Sequence, residues 1–384
     1  MTASDRADDE ARGAAALGAG SLDAAWRRQM HDAQQRAVPN GRVLLSCPAP
    51  LNAGGLGRHM GELLDALERA GQATTFLSTS SPELPAADLP QRLRVAAASP
   101  LARVSRAWRM WSWNQGFDAR VAGEMPRADH LIAFNGTATA QFAVARREGW
   151  ESLSLVSANS HFQQVIRQHE LAHSQYPVER PWATHLRRRN LREYELADRI
   201  LVSCDYIRDS FLERGFDQER LAWFPLTPHP RYEPRGEPVD TDTFDIVYVG
   251  SLTVHKGVPL LLDALRRIEH PDVRLVLVGG WGTRGMRRHL ERARTQDARV
   301  SVAPGDPLPH LLRARLCVHP AYEDGFGYAP AEALACGVPV IASADTGMKS
   351  LIEEGRTGQV VPTGDREALT EAIEAAVAGR LLRV

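Results

Sequence analysis

The stretch YEDGFGYAPAEALACGVP, which covers Tyr322–Pro339, carries the clearest local structural signal in the chain. Gly325 and Gly327 permit a tight turn in which the backbone can approach a ligand closely. Pro330 suits the first turn of a helix, and the Gly-Val-Pro that closes the stretch suits its end. A glycine turn that leads into a helix presents free backbone N–H groups to an anion such as a diphosphate.

Short apolar runs alternate with helical patterns on both sides of that stretch. The second half of the chain contains FDIVYVG, RLVLVGG, RVSVAP, LCVHP, VPVIAS and GQVVP, and the first half contains RVLLSCPAP, ATTFLS, RLRVAAA, HLIAF, SLSLVSA and RILVSC. Strands that alternate with helices indicate a parallel sheet covered by helices on both faces. The sequence therefore predicts two α/β units. Ligands of such folds bind at the carboxyl ends of the strands, so we expect the site in a cleft between the units.

The domain boundaries follow from changes in composition along the chain. Residues 1–38 lack strand signals and are rich in Ala, Asp, Arg and Gln, which predicts a flexible tail with some helix around Leu22–Arg36. Residues 39–227 form the predicted N-terminal domain, and residues 244–384 form the predicted C-terminal domain. Between them, residues 228–243 carry four prolines among charged residues, which is typical of an extended linker.

Length and composition indicate a globular protein of two domains. The 384 residues are 43% apolar and 24% charged, and the formal net charge of −1 does not favour a nucleic-acid-binding protein. The four cysteines form no Cys-x-x-Cys pair, no apolar run approaches the ~18 residues of a membrane span, and the acidic N-terminus lacks the apolar segment of a signal peptide. These features predict a cytoplasmic protein, and they are compatible with peripheral contact at the inner membrane face.

Asp324 and Glu332 lie eight residues apart, and their spacing resembles the acid–seven residues–Glu motif of the retaining family-four (group 1) glycosyltransferases. The continuation ALACGVPVIAS (Ala333–Ser343) resembles the same family. The resemblance covers the chain from about Arg42 to Arg380 and implies the GT-B fold, in which two Rossmann-like α/β/α domains have parallel sheets that face each other across a cleft. The family normally has Glu where this chain has Asp324.

The resemblance places the donor site on the C-terminal domain. It implies that Glu332 holds the ribose hydroxyls, that Asp324 holds hydroxyls of the transferred sugar, and that Lys256 clamps the diphosphate. The family often has Arg where this chain has Ser251, so charge neutralisation rests on Lys256 and backbone amides. A solvated lysine, a turn aspartate and a glutamate that complements the helix dipole are the alternative interpretations of these three side chains. The implied donor-binding positions are Gly250, Ser251, Gly280, Gly325, Phe326 and Gly327, with Trp281 and Arg284 as further candidates.

Three residues of the N-terminal domain join the predicted site. His161, in SANSHFQ, follows a predicted strand and resembles the family's histidine that faces the transferred sugar. Gly54 and Gly55 resemble the glycine-rich loop that faces donor and acceptor. A structural histidine is the alternative interpretation of His161, and Glu193 and Glu195 are interpreted as structural.

The sequence predicts a retaining glycosyltransferase of the hexosyltransferase type. It would move a sugar from a nucleotide-diphosphate sugar to a hydroxyl acceptor (a sugar, glycan or lipid-linked group) in glycan, polysaccharide or glycolipid synthesis. The donor sugar, its base, the acceptor and the oligomeric state are left open. The alternatives are a nucleotide-sugar epimerase of the same architecture and a non-catalytic scaffold that binds nucleotide sugars. A nicotinamide dehydrogenase is disfavoured because the turn after the first strand lacks Gly-x-Gly-x-x-Gly.

No cofactor or metal ion is expected. The Asp-x-Asp of Asp240-Thr241-Asp242 lies in the linker rather than at a strand end, and no His/Cys spacing favours a zinc site. The chain stops at Val384, soon after a predicted helix over Asp365–Gly379, whereas the family continues with helices that cross back onto the first domain. A minimal crossover and a truncated sequence both fit this pattern.

Overall fold

The computed structural model describes residue 22 and residues 24–79, 106–234 and 242–379. This part of the chain divides into two compact units, each built on one parallel sheet. Of the described residues, the N-terminal unit comprises 28–79, 106–167 and 181–226, and the C-terminal unit comprises 168–180, 227–234, 242–379 and those before Arg28.

In the N-terminal unit the six strands of the described sheet lie in the order β2-β1-β3-β4-β5-β6, and all neighbouring pairs are parallel. Most strand residues are apolar and buried, as expected where helices cover both faces of a sheet. The strands are β1 (Val43–Cys47), β2 (Thr74–Ser78), β3 (His130–Phe134), β4 (Ser152–Val156), β5 (Arg199–Val202) and β6 (Leu221–Trp223). The helices that begin within residues 24–226 are α1 (Ala24–Ala37), α2 (Gly54–Arg69), α3 (Arg106–Glu124), α4 (Thr139–Arg147), α5 (Phe162–Gln175), α6 (Arg187–Leu196) and α7 (Asp205–Leu212).

In the C-terminal unit six parallel strands lie in the order β12-β11-β10-β7-β8-β9. Numbered within the unit and taken from the β9 edge, this is the 3-2-1-4-5-6 order of the doubly wound Rossmann fold. The strands are β7 (Phe244–Val249), β8 (Val273–Val278), β9 (Val300–Val302), β10 (Leu316–His319), β11 (Val340–Ser343) and β12 (Gly358–Val361). The helices are α8 (Val258–Leu265), α9 (Arg284–Gln296), α10 (Leu308–Arg313), α11 (Tyr328–Ala335) and α12 (Arg366–Val377).

The two predicted α/β units are confirmed, but the structure changes their boundaries. Residues 168–180, predicted to lie in the N-terminal domain, pack with the C-terminal sheet because Ala172 lies in its core and Tyr176 and Val178 pack against that core. Residues 24–37 of the predicted tail form α1, in which Met30 and Ala37 are buried, so this part is not loose.

Several predicted features fall outside the described residues. They include the strand RLRVAAA, residues 1–21 of the tail, residues 235–241 of the linker and two residues of the Asp-x-Asp, Asp240 and Thr241. Within the described ranges, no helix combines the length and apolar character needed to cross a bilayer.

A buried carboxylate, that of Glu193 on α6, organises the carboxyl end of β3. It accepts hydrogen bonds from the backbone N–H groups of Gly136 and Ala138, the latter at 2.8 Å, and so caps the start of α4. Arg189 pairs with it at 3.2 Å and also bonds to Asp118. Burial raises the pKa of Glu193, and the Arg189 guanidinium opposes that rise. A buried carboxylate is tolerated only when it is paired and hydrogen-bonded in this way, which agrees with a structural role.

Replacing Glu193 by Gln should lower the free energy of unfolding by roughly 1–3 kcal/mol. The amide NH₂ would face a backbone N–H group, which leaves a buried donor without an acceptor. The measurement is urea unfolding followed by circular dichroism at pH 7.5. Glu195→Gln is the control, because Glu195 lies on the same helix but is exposed and pairs with the exposed Arg192. Equal effects of the two substitutions would contradict the role assigned to Glu193.

Candidate active site

The order of the C-terminal strands reverses between β7 and β10. These two strands are neighbours in the sheet, and β8 continues outward from β7 while β11 continues outward from β10. The loops after β7 and β10 therefore leave in opposite directions, and the crevice between them is where doubly wound sheets bind ligands. Lys256 lies in the loop after β7, and Asp324 lies in the loop after β10.

The structure brings Lys256 and Asp324 into direct contact. The Lys256 Nζ lies 3.2 Å from Asp324 Oδ1, and it donates a hydrogen bond to the carbonyl oxygen of Glu323 at 3.0 Å. The other carboxylate oxygen, Asp324 Oδ2, lies 2.8 Å from His319 Nε2 at the end of β10. The side chains of Lys256 and Asp324 are 18% and 22% exposed, so a ligand can still reach the pair.

Asp324 is held as a carboxylate by its neighbours. Burial by itself would raise the pKa of this group, but the Lys256 ammonium and the hydrogen bond from His319 more than offset burial and bring the pKa well below its ordinary value of 3.8. The His319 ring lies parallel to the ring of the buried Tyr248, at a centroid distance of 6.2 Å. The site therefore contains one cation and one anion whose positions are determined by packing against the end of the sheet.

The glycine turn after Asp324 leads directly into α11, as the sequence predicts. Gly327 precedes the helix with φ 83°, a conformation that favours glycine, and it has no side chain with which to cap the first turn. The first N–H groups of a helix lack intrahelical acceptors and, together with the helix dipole, favour an anion. Phe326 within the turn is buried, with 7% of the residue exposed, and its contact with a donor stays a prediction.

The loops that follow β7 and β10 touch each other through their backbones. A Cβ on Gly257, whose φ is 73°, would lie 1.9 Å from the carbonyl oxygen of Pro320. The N–H of Tyr322 donates to the carbonyl oxygen of His255 at 2.9 Å. Any larger residue at position 257 would push the two loops apart, so glycine there is a condition for the Lys256–Asp324 contact.

The remaining predicted donor residues of the C-terminal unit lie on the same edge of the sheet. Gly250 and Ser251 follow β7, and Gly280 and Trp281 follow β8; the N–H of Leu252 donates to Gly280 O at 3.0 Å, which joins the two loops. Trp281 is 40% exposed, with the guanidinium of Arg287 5.5 Å from its ring centroid. Arg284 is exposed at the first position of α9. Glu332 lies within α11 and is 2% exposed.

His161, Gly54 and Gly55 belong to the N-terminal unit. The His161 ring packs among the rings of Tyr194 and Phe211 at centroid distances of 4.9 and 5.1 Å. Burial, with a smaller effect of a nearby arginine, lowers the pKa of His161 to about 4, so the ring is neutral at pH 7. Both glycines are exposed at the start of α2, and their contact with donor and acceptor stays a prediction.

Glycine is favoured around the start of α2 for two different reasons: Gly54 has a φ of 61°, a conformation that favours glycine, and Gly57 lies against a backbone oxygen. A Cβ on Gly57 would lie 2.1 Å from Pro50 O, and a Cβ on Gly61 would lie 2.2 Å from Asn52 Oδ1, whereas Gly54 and Gly55 face open space. The glycine-rich pattern is therefore required in part by packing of α2 against the turn that precedes it.

Sequence reasoning missed His319 and Glu179. His319 ends a buried strand in LCVHP, a position where polar side chains of parallel sheets often face a ligand, so a signal existed. Glu179 gave no local signal, since it lies beyond the end of α5 and reaches the C-terminal unit only through the tertiary fold. Its carboxylate accepts a hydrogen bond from the N–H of Val254, two residues before Lys256, at 3.0 Å.

Replacing Asp324 by Asn should lower the free energy of unfolding by roughly 1–3 kcal/mol at pH 7, because it leaves the half-buried Lys256 ammonium without its counter-charge. The pKa of Asp324 is depressed in the folded state, so its stabilising effect is fully present above the ordinary pKa of 3.8 and is lost as the pH falls below 3.8 through the lower pKa of the folded state. The difference between wild type and variant should therefore stay constant from pH 7 to about pH 5 and shrink between about pH 4 and pH 2 in urea unfolding.

Glu291→Gln is the control for this prediction, because Glu291 forms an exposed ion pair with Arg287. It should change stability little across this pH range. A difference between wild type and Asp324→Asn that stays constant over the whole pH range would show that the carboxylate charge is not what stabilises the site.

Two family models match almost the whole described chain. The model for glycosyl transferases group 1 matches residues 232–384, and the model for the glycosyl transferase 4-like domain matches residues 54–227. The first match contains Lys256 and Asp324, and the second contains Gly54, Gly55 and His161.

A curated relative is the D-inositol 3-phosphate glycosyltransferase of Mycolicibacterium paratuberculosis, which is 32% identical over 147 residues. The match covers 36% of this chain and 32% of the relative, so the chain spans about a third of the length of that relative. The sequence similarity is thus partial, and it leaves much of that relative unmatched.

The similarity in fold extends over most of the chain. Sucrose-phosphate synthase from Thermosynechococcus elongatus gives a TM-score of 0.62 at 22% identity and covers 88% of this chain and 90% of its own. HepE of Anabaena, solved in complex with UDP-glucose, gives a TM-score of 0.58 at 17% identity, with 88% and 90% covered. At these identities the likeness concerns the fold alone, which is the two-domain Rossmann-like GT-B fold. The two family models, which together match residues 54–227 and 232–384, show that the chain belongs to the group 1 glycosyl transferases.

Proposed function

We propose that this chain is a retaining glycosyltransferase that binds a nucleotide-diphosphate sugar on its C-terminal unit and transfers the sugar to a hydroxyl acceptor. The observation that supports this most directly is the position of the Lys256 ammonium beside the glycine turn that opens α11. A cation beside the N-terminus of a helix, at the reversal point of a doubly wound sheet, forms a site for a diphosphate.

The chemistry requires negative charge to be stabilised on the leaving group. The bond between the anomeric carbon and the diphosphate oxygen breaks, and the diphosphate takes the bonding electrons. Lys256 and the first N–H groups of α11 stabilise the charge that builds on the diphosphate oxygens. The acceptor oxygen forms the new bond on the same face of the sugar, and its proton passes to a phosphate oxygen of the leaving diphosphate.

Asp324 has a double role in this proposal. Its two oxygens already contact Lys256 and His319, but a carboxylate has about four acceptor positions. The remaining positions can accept hydrogen bonds from hydroxyls of the transferred sugar. Because the aspartate is held by Lys256 and His319, it would meet the sugar without first losing side-chain freedom.

The donor class is also supported by the relatives. HepE was solved with UDP-glucose, and the relatives' names include a glycosyltransferase for D-inositol 3-phosphate and a synthase of α-maltose 1-phosphate. The acceptors in these names differ, so the proposal extends only to a hydroxyl acceptor. It includes no metal ion, because Lys256 and the backbone amides supply the positive charge. A cytoplasmic location with peripheral contact to the inner membrane face is part of the proposal, supported by four buried free cysteines.

The proposal predicts that a nucleotide-sugar donor stabilises the protein against heat. UDP-glucose, UDP-galactose, GDP-mannose and ADP-glucose would be tested separately, with EDTA present. A donor at about a hundred times its Kd adds about 2.7 kcal/mol to the free energy of unfolding, which is readily seen as a rise in Tm. Lys256→Ala should strongly reduce the rise, whereas Arg292→Ala, which removes an exposed cation of α9, should leave it intact.

The stereochemistry is tested on the donor that binds. Proton NMR of the first product, from transfer to an acceptor or from slow hydrolysis, should show the anomeric configuration of the donor. An inverted product would overturn the retaining mechanism. Failure of every donor to bind, or equal binding by Lys256→Ala, would overturn the proposed site. Conversion of a donor into its epimer without an acceptor would favour an epimerase.

A further inference from the structure

Residues 168–180, here called the strap, are the second half of α5 and the segment that follows it. Although the strap precedes most of the C-terminal unit in sequence, it packs into that unit. Ala172 lies in its apolar core, and Tyr176 and Val178 pack against the core. The strap is thus a structural part of the unit that carries Lys256 and Asp324.

The only acidic side chain in the second half of the strap, Glu179, is almost fully buried, with 2% of the side chain exposed. Glu179 Oε1 accepts the N–H of Val254 at 3.0 Å, and Glu179 Oε2 accepts the hydroxyl of Thr283 at 2.8 Å. The Thr283 hydroxyl in turn accepts the N–H of Met286 at 3.2 Å and so caps α9. One carboxylate therefore joins the loop that carries Lys256 to the start of α9.

Close backbone contacts surround this carboxylate. A Cβ on Gly285 would lie 2.0 Å from Val178 O, and a Cβ on Gly282 would lie 2.6 Å from Leu252 O. Each position therefore needs a residue without a side chain. The strap, the loop after β7 and the loop after β8 are packed so closely that a shift of one must be transmitted to the others.

The strap also contacts the Asp324 side of the site. Gln175 accepts a hydrogen bond from the hydroxyl of Tyr322, two residues before Asp324. Gln168 Nε2 donates to Asp345 Oδ2 at 3.0 Å, and the carbonyl oxygen of Asp345 accepts the N–H of Asp324 at 3.0 Å. The strap therefore bonds to both loops whose side chains form the Lys256–Asp324 pair.

The strap has one further contact next to the lysine. The ring of His169 lies over the ring of His255 at a centroid distance of 4.4 Å and an angle of 20°. His255 directly precedes Lys256, so the strap contacts the lysine loop both at Val254 and at His255. Such contacts restrict the backbone from which the Lys256 side chain extends.

We propose that Glu179 is a positioning residue for diphosphate binding: by bonding Val254 N–H and the Thr283 cap at once, it holds the loop of Lys256 in the geometry that the diphosphate requires. Glu179 acts through Lys256 and does not itself touch the ligand. Preorganisation of this kind raises affinity because the ordering cost is met during folding rather than on binding. The inference rests on the proposed function, since it takes Lys256 to be the diphosphate clamp.

The test compares the affinity of wild type and variants for UDP, GDP and ADP by isothermal titration calorimetry at 20 °C. Glu179→Ala should weaken binding of the nucleotide by about tenfold, because the Val254 N–H loses its acceptor and the lysine loop gains freedom. Glu179→Gln should retain most of the affinity, because its amide oxygen can still accept the Val254 N–H. Glu170→Ala, at an exposed position on α5, should bind as wild type does.

A double-mutant cycle with Lys256→Ala separates positioning from a merely structural role. If Glu179 acts through the lysine, Glu179→Ala should weaken binding about tenfold in wild type but less than about twofold when Lys256 is already Ala. Thermal unfolding of each variant shows that it is folded at 20 °C. If Glu179→Ala is not folded, Thr283→Val takes its place in the cycle. This substitution removes the hydroxyl that bonds Glu179 and should weaken binding in the same lysine-dependent way.

The outcomes distinguish this inference from the proposed function. If wild type binds none of the three nucleotides, or if Lys256→Ala binds as wild type does, the proposed function fails and the inference fails with it. If Lys256→Ala weakens binding but the folded Glu179→Ala variant binds as wild type does, only the inference is overturned. The inference is likewise overturned if Glu179→Ala weakens binding by the same factor in wild type and in the Lys256→Ala background, since Glu179 would then act independently of the lysine.

Discussion

The ion pair between Lys256 and Asp324 is the interaction on which the C-terminal site depends. It joins two loops that leave adjacent strands, β7 and β10, in opposite directions. The same loops are also joined by the hydrogen bond between Tyr322 N–H and His255 O and by the close approach of Gly257 to Pro320. The pair also keeps a cation and an anion close to solvent without leaving either charge unpaired. In the proposed function, a diphosphate replaces part of this contact with the lysine.

Backbone contacts make this interaction geometrically possible. Gly257 allows the lysine loop to touch Pro320, and Gly327 allows the chain to enter α11 directly after the turn. Gly282 and Gly285 play the same part where the loop after β8 meets its neighbours. Gly257, Gly282 and Gly285 thus let neighbouring backbone segments approach more closely than side chains would permit.

Three carboxylates illustrate how the surroundings determine a role. Glu193, in the N-terminal unit, is fully buried and bonded to backbone N–H groups, so it stabilises a turn. Glu179 is buried to a similar degree but bonds to the loop of Lys256, so its structural bond has a consequence for the site. Asp324 keeps part of its surface exposed beside a cation. Only the third is placed to meet a ligand, and that difference follows from exposure and partners rather than from residue type.

The amino-acid sequence by itself determined the two α/β units, the glycine turn before α11, and the placement of Lys256 and Asp324 after strands. These features depend on local apolar runs, glycines and helix-start signals, which are visible within a few residues of chain. The tertiary structure alone decided that the strap packs with the C-terminal sheet, that Glu179 bonds to the loop of Lys256, and that Gln175 accepts a hydrogen bond from Tyr322. The physical reason is that these contacts join residues far apart in the chain, such as Gln175 and Tyr322, which are 147 residues apart. Such contacts depend on how close the folded backbone segments lie, and no local pattern of residues encodes that distance.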